Sequence, residues 1–394
     1  MIGLTPHKKE ICLIGGGHSH ITAIKKLKRR PLPGVRVTLI SNEALTPYSG
    51  MLPGLIAGHY TFEDCHIDLQ KLCRWANVRF IRSEVQRIDP VAKKIYCHGY
   101  SHQYYDLLSI DIGSQPALYD IKGAIAYGCS IKPINQFLQD WQQWLKTASV
   151  SNCSKRVVVI GSGAAGIEIL LAMHYKLCNT TSIQADFTLI GASQNILNSY
   201  NKRVQAFFKH YLDTLGITVI SGKRVISIDR HQLTLEGGTT LNYDFSVWTI
   251  HAGAQNWPEA SGLECDKGFI RVDQYLRSIS HPDIFAVGDC AAFTPWPLPK
   301  AGVYAVRQGS VLTNNIIAAL EKRPLLAFKP QKRFLSLLTT GNRHAVAAWG
   351  PLFASGKWVW LWKNYIDRAF IAHFNPHKPI VASKNSQNND SELL

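Results

Sequence analysis

The sequence predicts an α/β architecture with two nested nucleotide-binding units, and three observations predict it. A short apolar strand, a glycine turn and a helix occur twice, about 146 residues apart. Each helix leads into a second β-rich segment, completing a βαβ unit. Late in the chain, His281-Pro-Asp-Ile-Phe-Ala-Val-Gly-Asp289 reads as a further short strand ending on Gly-Asp.

The first copy is Ile11-Cys-Leu-Ile-Gly-Gly-Gly-His-Ser-His20, a helical stretch to Arg30, then Val35 to Ile40. The second is Val157-Val-Val-Ile-Gly-Ser-Gly-Ala-Ala-Gly166, a helical stretch to Leu177, then Phe187 to Ile190. One glycine pattern arises by chance, whereas two in the same setting are a strong signal. Gly15 and Gly161 turn the chain off the strand, and Gly17 and Gly163 let the backbone approach a pyrophosphate. Its charge then meets free N–H groups at a helix N-terminus. Gly166 permits tight helix–strand packing. The matching residue of the first copy is His20, so either that helix stands farther off or the histidine has a use. His18 and Ser19 lie on the same phosphate turn. Two segments tie the copies together: Asp106-Leu-Leu-Ser-Ile-Asp-Ile-Gly-Ser-Gln-Pro116, with its turn at Gly113, and Phe245-Ser-Val-Trp-Thr-Ile-His-Ala-Gly-Ala254.

Composition removes other classes. The 394 residues carry 43 Lys and Arg against 27 Asp and Glu, a formal charge of +16, so a disordered acidic chain is excluded. Nine cysteines are too sparse and too odd for a secreted disulfide scaffold, and no C-x-x-C pair suggests a zinc ribbon or thioredoxin motif. No H-x3-H or H-E-x-x-H spacing supports a metal, so none is expected. The N-terminus lacks a signal-peptide core. The apolar run Val157 to Tyr175 holds three glycines and Glu168, which suits a buried strand, turn and helix better than a membrane span. The expected location is the reducing cytoplasm.

The five ordered motifs, over residues 11 to 309, resemble the two-dinucleotide-binding-domain flavoproteins of the pyridine nucleotide-disulfide oxidoreductase superfamily. The resemblance implies two Rossmann-like domains of the three-layer ββα type, the NAD(P) domain inserted in the FAD domain, plus a small C-terminal region. Its boundaries are 9–118 and 266–325 for the FAD domain, 119–265 for the NAD(P)H domain and 326–394 for the rest. No redox C-x4-C or C-x2-C is present, which points to the branch resembling type II NADH dehydrogenases and sulfide:quinone oxidoreductases. The string Thr46-Pro-Tyr-Ser-Gly-Met-Leu-Pro-Gly-Leu-Ile-Ala-Gly-His-Tyr60, the turn Gly15 to His20 and Trp358-Val-Trp-Leu-Trp-Lys-Asn-Tyr-Ile-Asp-Arg368 also resemble flavoproteins found fused in front of selenide, water dikinase.

The resemblance implies FAD and NADH or NADPH as cofactors and a small-molecule acceptor of the quinone type. Asp289 would accept a hydrogen bond from the ribityl chain, and Gly288 lets the flavin pass. The segment from Pro47 and Tyr48 through Pro53 to Gly54 would run past the flavin, and Val85 would meet the adenine. A helix from about Ala301, with Gly302 and Val303 in its first turn, would point at the flavin N1–C2=O edge. Lys300 beside it would stabilise charge there; the alternative is an exposed loop lysine. Glu168 matches a glutamate near the nicotinamide. At the ribose positions the usual acid is missing: Ser41-Asn-Glu43 follows the first copy, and Gly191-Ala-Ser193 the second, leaving NADH and NADPH both open. The rival chemistries are oxidation of a sulfur or selenium species, with Cys129 as its thiol, and a flavin-bound redox sensor or scaffold.

Residues 321–378 hold ten Lys and Arg against two acids, half of the net charge, and four tryptophans. From Lys357 to Phe374, Trp358, Trp362, Tyr365, Ala369 and Phe370 follow a 3.6-residue period, flanked by basic 357, 363 and 368. Such a helix suits peripheral contact through 349–374 with the inner face of the cytoplasmic membrane. The alternatives are packing on the FAD domain or a homodimer interface. Nucleic acid is not expected, because no reader motif accompanies the charge. The polar tail from 382 reads as disordered.

Overall fold

The computed structural model describes residues 9–118, 121–150, 153–250, 252–331 and 333–375; the tail from 382 lies outside them. Two five-stranded parallel sheets organise the chain. The first runs in the order Ile284–Ala286, Leu107–Ile110, Lys9–Ile14, Val35–Ser41, Arg79–Arg82. The second runs Cys129–Ser130, Phe245–Trp248, Lys155–Ile160, Ala185–Gly191, Thr218–Ser221. The central strands, Ile11–Ile14 and Val157–Ile160, are buried along their length, as β-branched runs covered on both faces must be.

Each unit repeats one plan in three layers. Helix His18–Arg29 follows the first glycine turn, and helix Ala164–Thr180 follows the second. Before the later strand that pairs with its central one, Leu107–Ile110 or Phe245–Trp248, each unit inserts a three-stranded antiparallel sheet, over residues 85–104 in one and 225–242 in the other. The last strand of the first sheet, Ile284–Ala286, comes from beyond the whole second unit. Gln115–Pro116 and Ala252–Gly253 pair antiparallel as the two strands that cross between units.

Helix Gly302–Leu320 lies on helix His18–Arg29, with Gly309 against Ser19 and Thr22. It begins at Gly302, one residue after the expected start, with Ala301 as its cap. The short helix Leu52–Ile56 leaves the first unit and joins the core of the second. Downstream, strands Ser336–Thr339, Ala345–Trp349 and Leu352–Gly356 form an antiparallel sheet, followed by helix Lys357–Phe374. Leu338, Val346 and Ala348 enter the second unit's core, while Ile371 and Phe374 enter the first's. The C-terminal region therefore straddles both units.

Its helix turns the first part of that stripe outward, while Phe370 packs on the first unit's core. Trp358, Trp362 and Tyr365 are exposed, together with Leu361 and Ile366. The buried face is Val359, Lys363, Asp367, Ile371 and Phe374. Lys363 is thus not a surface cation flanking the stripe: it is 7% exposed and ion-paired to Asp367 at 2.6 Å. A pattern that counts charge as outward misses a pair that neutralises itself inside. Among the described residues, no helix is long and apolar enough to cross a membrane.

Candidate functional site

The first glycine turn carries its own acid. Asp111, the residue after strand Leu107–Ile110, bonds through its N–H to Ile14 O at 2.8 Å, and its carbonyl accepts the Gly17 N–H at 3.3 Å. Its carboxylate Oδ2 accepts the N–H groups of Ser19 at 2.9 Å and His20 at 3.2 Å. A Cβ at Gly15 would lie 2.3 Å from Asp111 O, and one at Gly17 2.3 Å from its carboxyl. Only glycine fits these positions.

His20 is fully buried and structural in its bonding. Its Nδ1–H donates to Gly15 O at 2.7 Å, which leaves Nε2 to accept the Ser109 hydroxyl at 2.8 Å. Burial pulls its pKa down to about 4, so it is neutral in this role. In the second turn the same position is Gly166, where a Cβ would lie 1.7 Å from Gly161 O. The first helix therefore stands farther off, with an imidazole in the gap.

Around this turn the structure gathers several expected residues. Asp289 accepts hydrogen bonds from Lys132 Nζ at 2.9 Å and Ser114 Oγ at 3.3 Å, and the Gly288 N–H donates to Gln308 Oε1 at 2.7 Å. His18 packs against the edge of the Tyr48–Phe370 pair, 5.6 Å from each ring centroid, while Tyr48 and Phe370 stack at 4.4 Å. Burial draws the His18 pKa down to about 4. Gly302 lies beside Ser49, so the start of its helix faces the segment that follows Tyr48. Val303 packs on the first unit's core.

Other expected residues stand apart. Lys300 is half-buried rather than an exposed loop lysine. Its Nζ donates to Ala291 O at 2.5 Å and lies 3.9 Å from the Phe269 ring centroid, in a cleft of about 280 Å³ lined also by Asp266 and Arg271. Burial lowers its pKa. Val85 is buried in the 85–104 sheet, and Pro53 in the short helix that packs on the second unit. Ser41 ends its strand and accepts the Glu43 N–H, while the Glu43 carboxylate turns to Asn135 at 3.1 Å. Gly113 takes a left-handed conformation in the loop leading to the crossover strand.

The second turn closes on Thr249, whose hydroxyl donates to Ile160 O at 3.0 Å and Gly161 O at 3.2 Å. Gly163 caps the helix in extended conformation and its N-terminus carries no side-chain cap. Glu168, one helical turn on, does not face outward: Oε1 accepts the Thr339 N–H at 2.8 Å and hydroxyl at 3.1 Å. Burial raises its pKa, opposed by the charge of Lys363.

Sequence reasoning missed Asp111, Lys132, Thr339, Lys363 and Asp367. Lys363 donates to Gly50 O and to Asp367 Oδ2, both at 2.6 Å, and the Tyr48 hydroxyl bonds the same carboxylate. Burial lifts the Asp367 pKa against the pull of Lys363. An i,i+4 Lys-Asp pair was visible in the sequence; its burial was not. All nine cysteines are free, and Cys129 donates weakly to Asp140 at 3.8 Å, burial and that carboxylate raising its pKa. Among the described residues, no group of three His, Cys, Asp or Glu side chains is placed to hold a metal.

Comparisons with known proteins agree with this fold. The family described as pyridine nucleotide-disulphide oxidoreductase matches residues 9–309. A type II NADH:quinone oxidoreductase of Staphylococcus saprophyticus is 23% identical over 343 residues, 82% of this chain and 85% of that protein. The Staphylococcus aureus protein of the same name is 22% identical over 330 residues, covering 78% and 82%. Among solved structures, the sulfide:quinone oxidoreductase of Aquifex aeolicus superposes with a TM-score of 0.79 at 20% identity, over 93% of this chain and 92% of that one. The NDH2 of Plasmodium falciparum in complex with NADH has the same TM-score at 17% identity, over 95% and 100%.

Proposed function

We propose, on the premise that this chain belongs to the pyridine nucleotide-disulphide oxidoreductase family, that it oxidises NADH or NADPH through a bound FAD and passes the electrons to a quinone. The observation that carries this reading is the pair of glycine turns at the carboxyl ends of two parallel sheets in a chain whose cysteines are all free. Ligands of such sheets bind at that end, against helix N-termini. Gly15, Gly17, Gly161 and Gly166 keep the turns tight, each where a Cβ would collide with the protein itself, while Gly163 has open space where its Cβ would be, at a helix N-terminus without a side-chain cap, which fits a pyrophosphate there.

On this reading the first turn holds FAD, with Asp289 placed for a ribityl hydroxyl and the N-terminus of helix Gly302–Leu320 beside the Ser49 segment. The second turn, Gly161 to Gly166, holds the pyrophosphate of the nicotinamide nucleotide. When bound, the flavin accepts hydride from one partner and gives electrons to another. The chain's part is to position the two rings and exclude water. Tyr48 and Phe370 form an aromatic wall beside the turn, and Lys363 with Asp367 fixes the C-terminal helix against Gly50. Against the sulfur chemistry stands Cys129, whose thiol is held protonated beside Asp140.

The acceptor's solubility in lipid gives the exposed C-terminal face a role. Trp358, Leu361, Trp362, Tyr365 and Ile366 on the helix, and Trp349 and Leu352 on the hairpin, are exposed, with Lys357, Arg333 and Arg343 also at the surface of this region. An apolar, aromatic and basic surface of this kind suits a peripheral position on an anionic membrane.

Anaerobic mixing of the yellow protein with NADH, NADPH or sulfide tests the reaction. Either nicotinamide should bleach the flavin, and a water-soluble quinone should restore its colour. Failure of both nicotinamides overturns the reading. Co-sedimentation with anionic vesicles should fall at least fivefold in a Trp358→Ser/Trp362→Ser variant whose flavin content is unchanged.

A further inference from the structure

We infer that Asp111 takes up one proton when the diphosphate of a dinucleotide docks on the first glycine turn, so that this chain binds its FAD as a proton-coupled ligand. The inference rests on the reading of that turn as the FAD site. Asp111 is pinned from both sides of its backbone, by Ile14 O and by the Gly17 N–H. Its carboxylate has only one place to go, the gap left by the missing side chains of two glycines. All three carboxyl atoms lie 2.3–2.4 Å from where a Gly17 Cβ would be, and Oδ1 lies 2.5 Å from where a Gly288 Cβ would be. The side chain is 3% exposed.

In that position the carboxylate does what a phosphate would do. Oδ2 takes the N–H groups of Ser19 and His20 in the first turn of helix His18–Arg29. A helix N-terminus stabilises one anion well. A diphosphate on the same turn brings two further negative charges to a buried carboxylate, and like charges in a site of low dielectric disfavour joint ionisation. Oδ2 keeps its two backbone donors, and a proton from solvent goes to Oδ1, the oxygen toward Gly288. That change removes the repulsion without moving the side chain.

The groups around Asp111 are neutral or already engaged. The first helix presents His18 and His20, both held neutral by burial with pKa values drawn down to about 4. The 288–290 turn presents Asp289 and Cys290, the thiol pushed up to about 12 by its burial. Lys132 reaches in from the second unit, but its ammonium bonds Asp289 and Ser114. Lys300, beyond Cys290, bonds Ala291 O. Ser109 on Asp111's own strand is committed to His20. Burial, helped by the charge of Asp289 and opposed by the bonds from His20 and Ser19, lifts the Asp111 carboxyl to about 7, within reach of ordinary pH.

Full-length protein, freed of flavin and titrated calorimetrically with FAD at pH 8 in two buffers of different ionisation enthalpy, reads the protons taken up per flavin. Wild type should take up close to one, and its dissociation constant should rise about tenfold per pH unit above pH 7. Asp111→Asn should take up none and bind with little pH dependence. If that variant does not fold, Asp111→Thr, which installs the residue of the second turn, carries the same expectation. Stoichiometric FAD binding by wild type with no net proton, or an uptake that survives in either variant, overturns the inference while leaving the FAD reading intact. Absence of FAD binding at every pH overturns both.

Discussion

The two glycine turns are one design finished in opposite ways. In register, Asp111 of the first corresponds to Thr249 of the second, and Thr22 of the first helix to Glu168 of the second. Each turn thus has one carboxyl and one threonine, with their places exchanged. The first keeps its acid under the turn, on the helix N–H groups. The second keeps its acid one helical turn on, bonded to Thr339 of the C-terminal sheet, and leaves a hydroxyl under the turn. An acid beneath a turn makes dinucleotide binding answer to pH. An acid farther along couples the helix to its neighbour instead. This suits a first turn that retains its nucleotide and a second that exchanges it at each turnover.

The largest effects should come from closing each cradle separately. Gly15→Val puts a Cβ 2.3 Å from Asp111 O at φ +94°, and Gly161→Val puts one 2.4 Å from Thr249 Oγ1 at φ +119°. Each should weaken its own nucleotide at least about 100-fold, equivalent to roughly 3 kcal/mol. Gly15→Val should be purified colourless, whereas Gly161→Val should stay yellow and no longer bleach with NADH or NADPH. If both variants lose flavin alike, the two turns do not hold separate nucleotides.

Next is the region that serves both turns. Lys363→Met leaves Asp367 buried without its cation, a loss of about 3 kcal/mol by the usual cost of breaking an internal pair. Urea unfolding should show it, and flavin retention and nicotinamide binding should weaken together. Lys363→Met/Asp367→Leu, which removes both charges, should recover most of the stability.

The glycine turns were legible in the sequence because a strand, Gly-x-Gly and a helix are neighbours along the chain. The residues that distinguish the turns were not. Asp111 stands about 90 residues from the helix it caps, inside the string Ser-Ile-Asp-Ile-Gly113, which reads as a buried strand and its end. The C-terminal helix was legible in its limits, Lys357 to Phe374, but its buried face was not, because Lys363 and Asp367 neutralise each other inside. Lys300 was visible as a lysine beside a predicted helix start; its bond to Ala291 O depends on a strand that only the fold brings near.

A smaller effect tests the exchange itself. Thr249→Asp gives the second turn the first turn's acid, with the same backbone anchor, since Thr249 N–H bonds Ile160 O as Asp111 N–H bonds Ile14 O. The variant's nicotinamide affinity should acquire a pH dependence that wild type lacks, falling up to about tenfold per unit on the alkaline side. Equilibrium titration of the oxidised protein with NAD⁺ at pH 6, 7 and 8 reads it. An affinity that stays flat in the variant separates position from function and breaks the comparison.

The smallest effect concerns the acid the second turn does keep. Burial raises the Glu168 pKa, so the folded protein holds this proton to a higher pH than the unfolded chain does. Folding therefore takes up a proton between those two values, and the stability it contributes is present at low pH and lost as pH rises through the folded value. Glu168→Gln keeps an Oε1 acceptor for the Thr339 N–H and hydroxyl but cannot ionise. Near pH 8 the variant should match wild type within about 1 kcal/mol or exceed it, the Thr339 bonds being kept and the buried charge gone. As pH falls toward 5, wild type should gain on the variant, and flavin content should be unchanged in both. Urea unfolding at pH 5 and pH 8 measures the difference of differences. A gap that moves the other way would mean that Glu168 stays ionised through the attraction of the Lys363 charge, making it part of the charge network of the C-terminal helix rather than a device of the second turn.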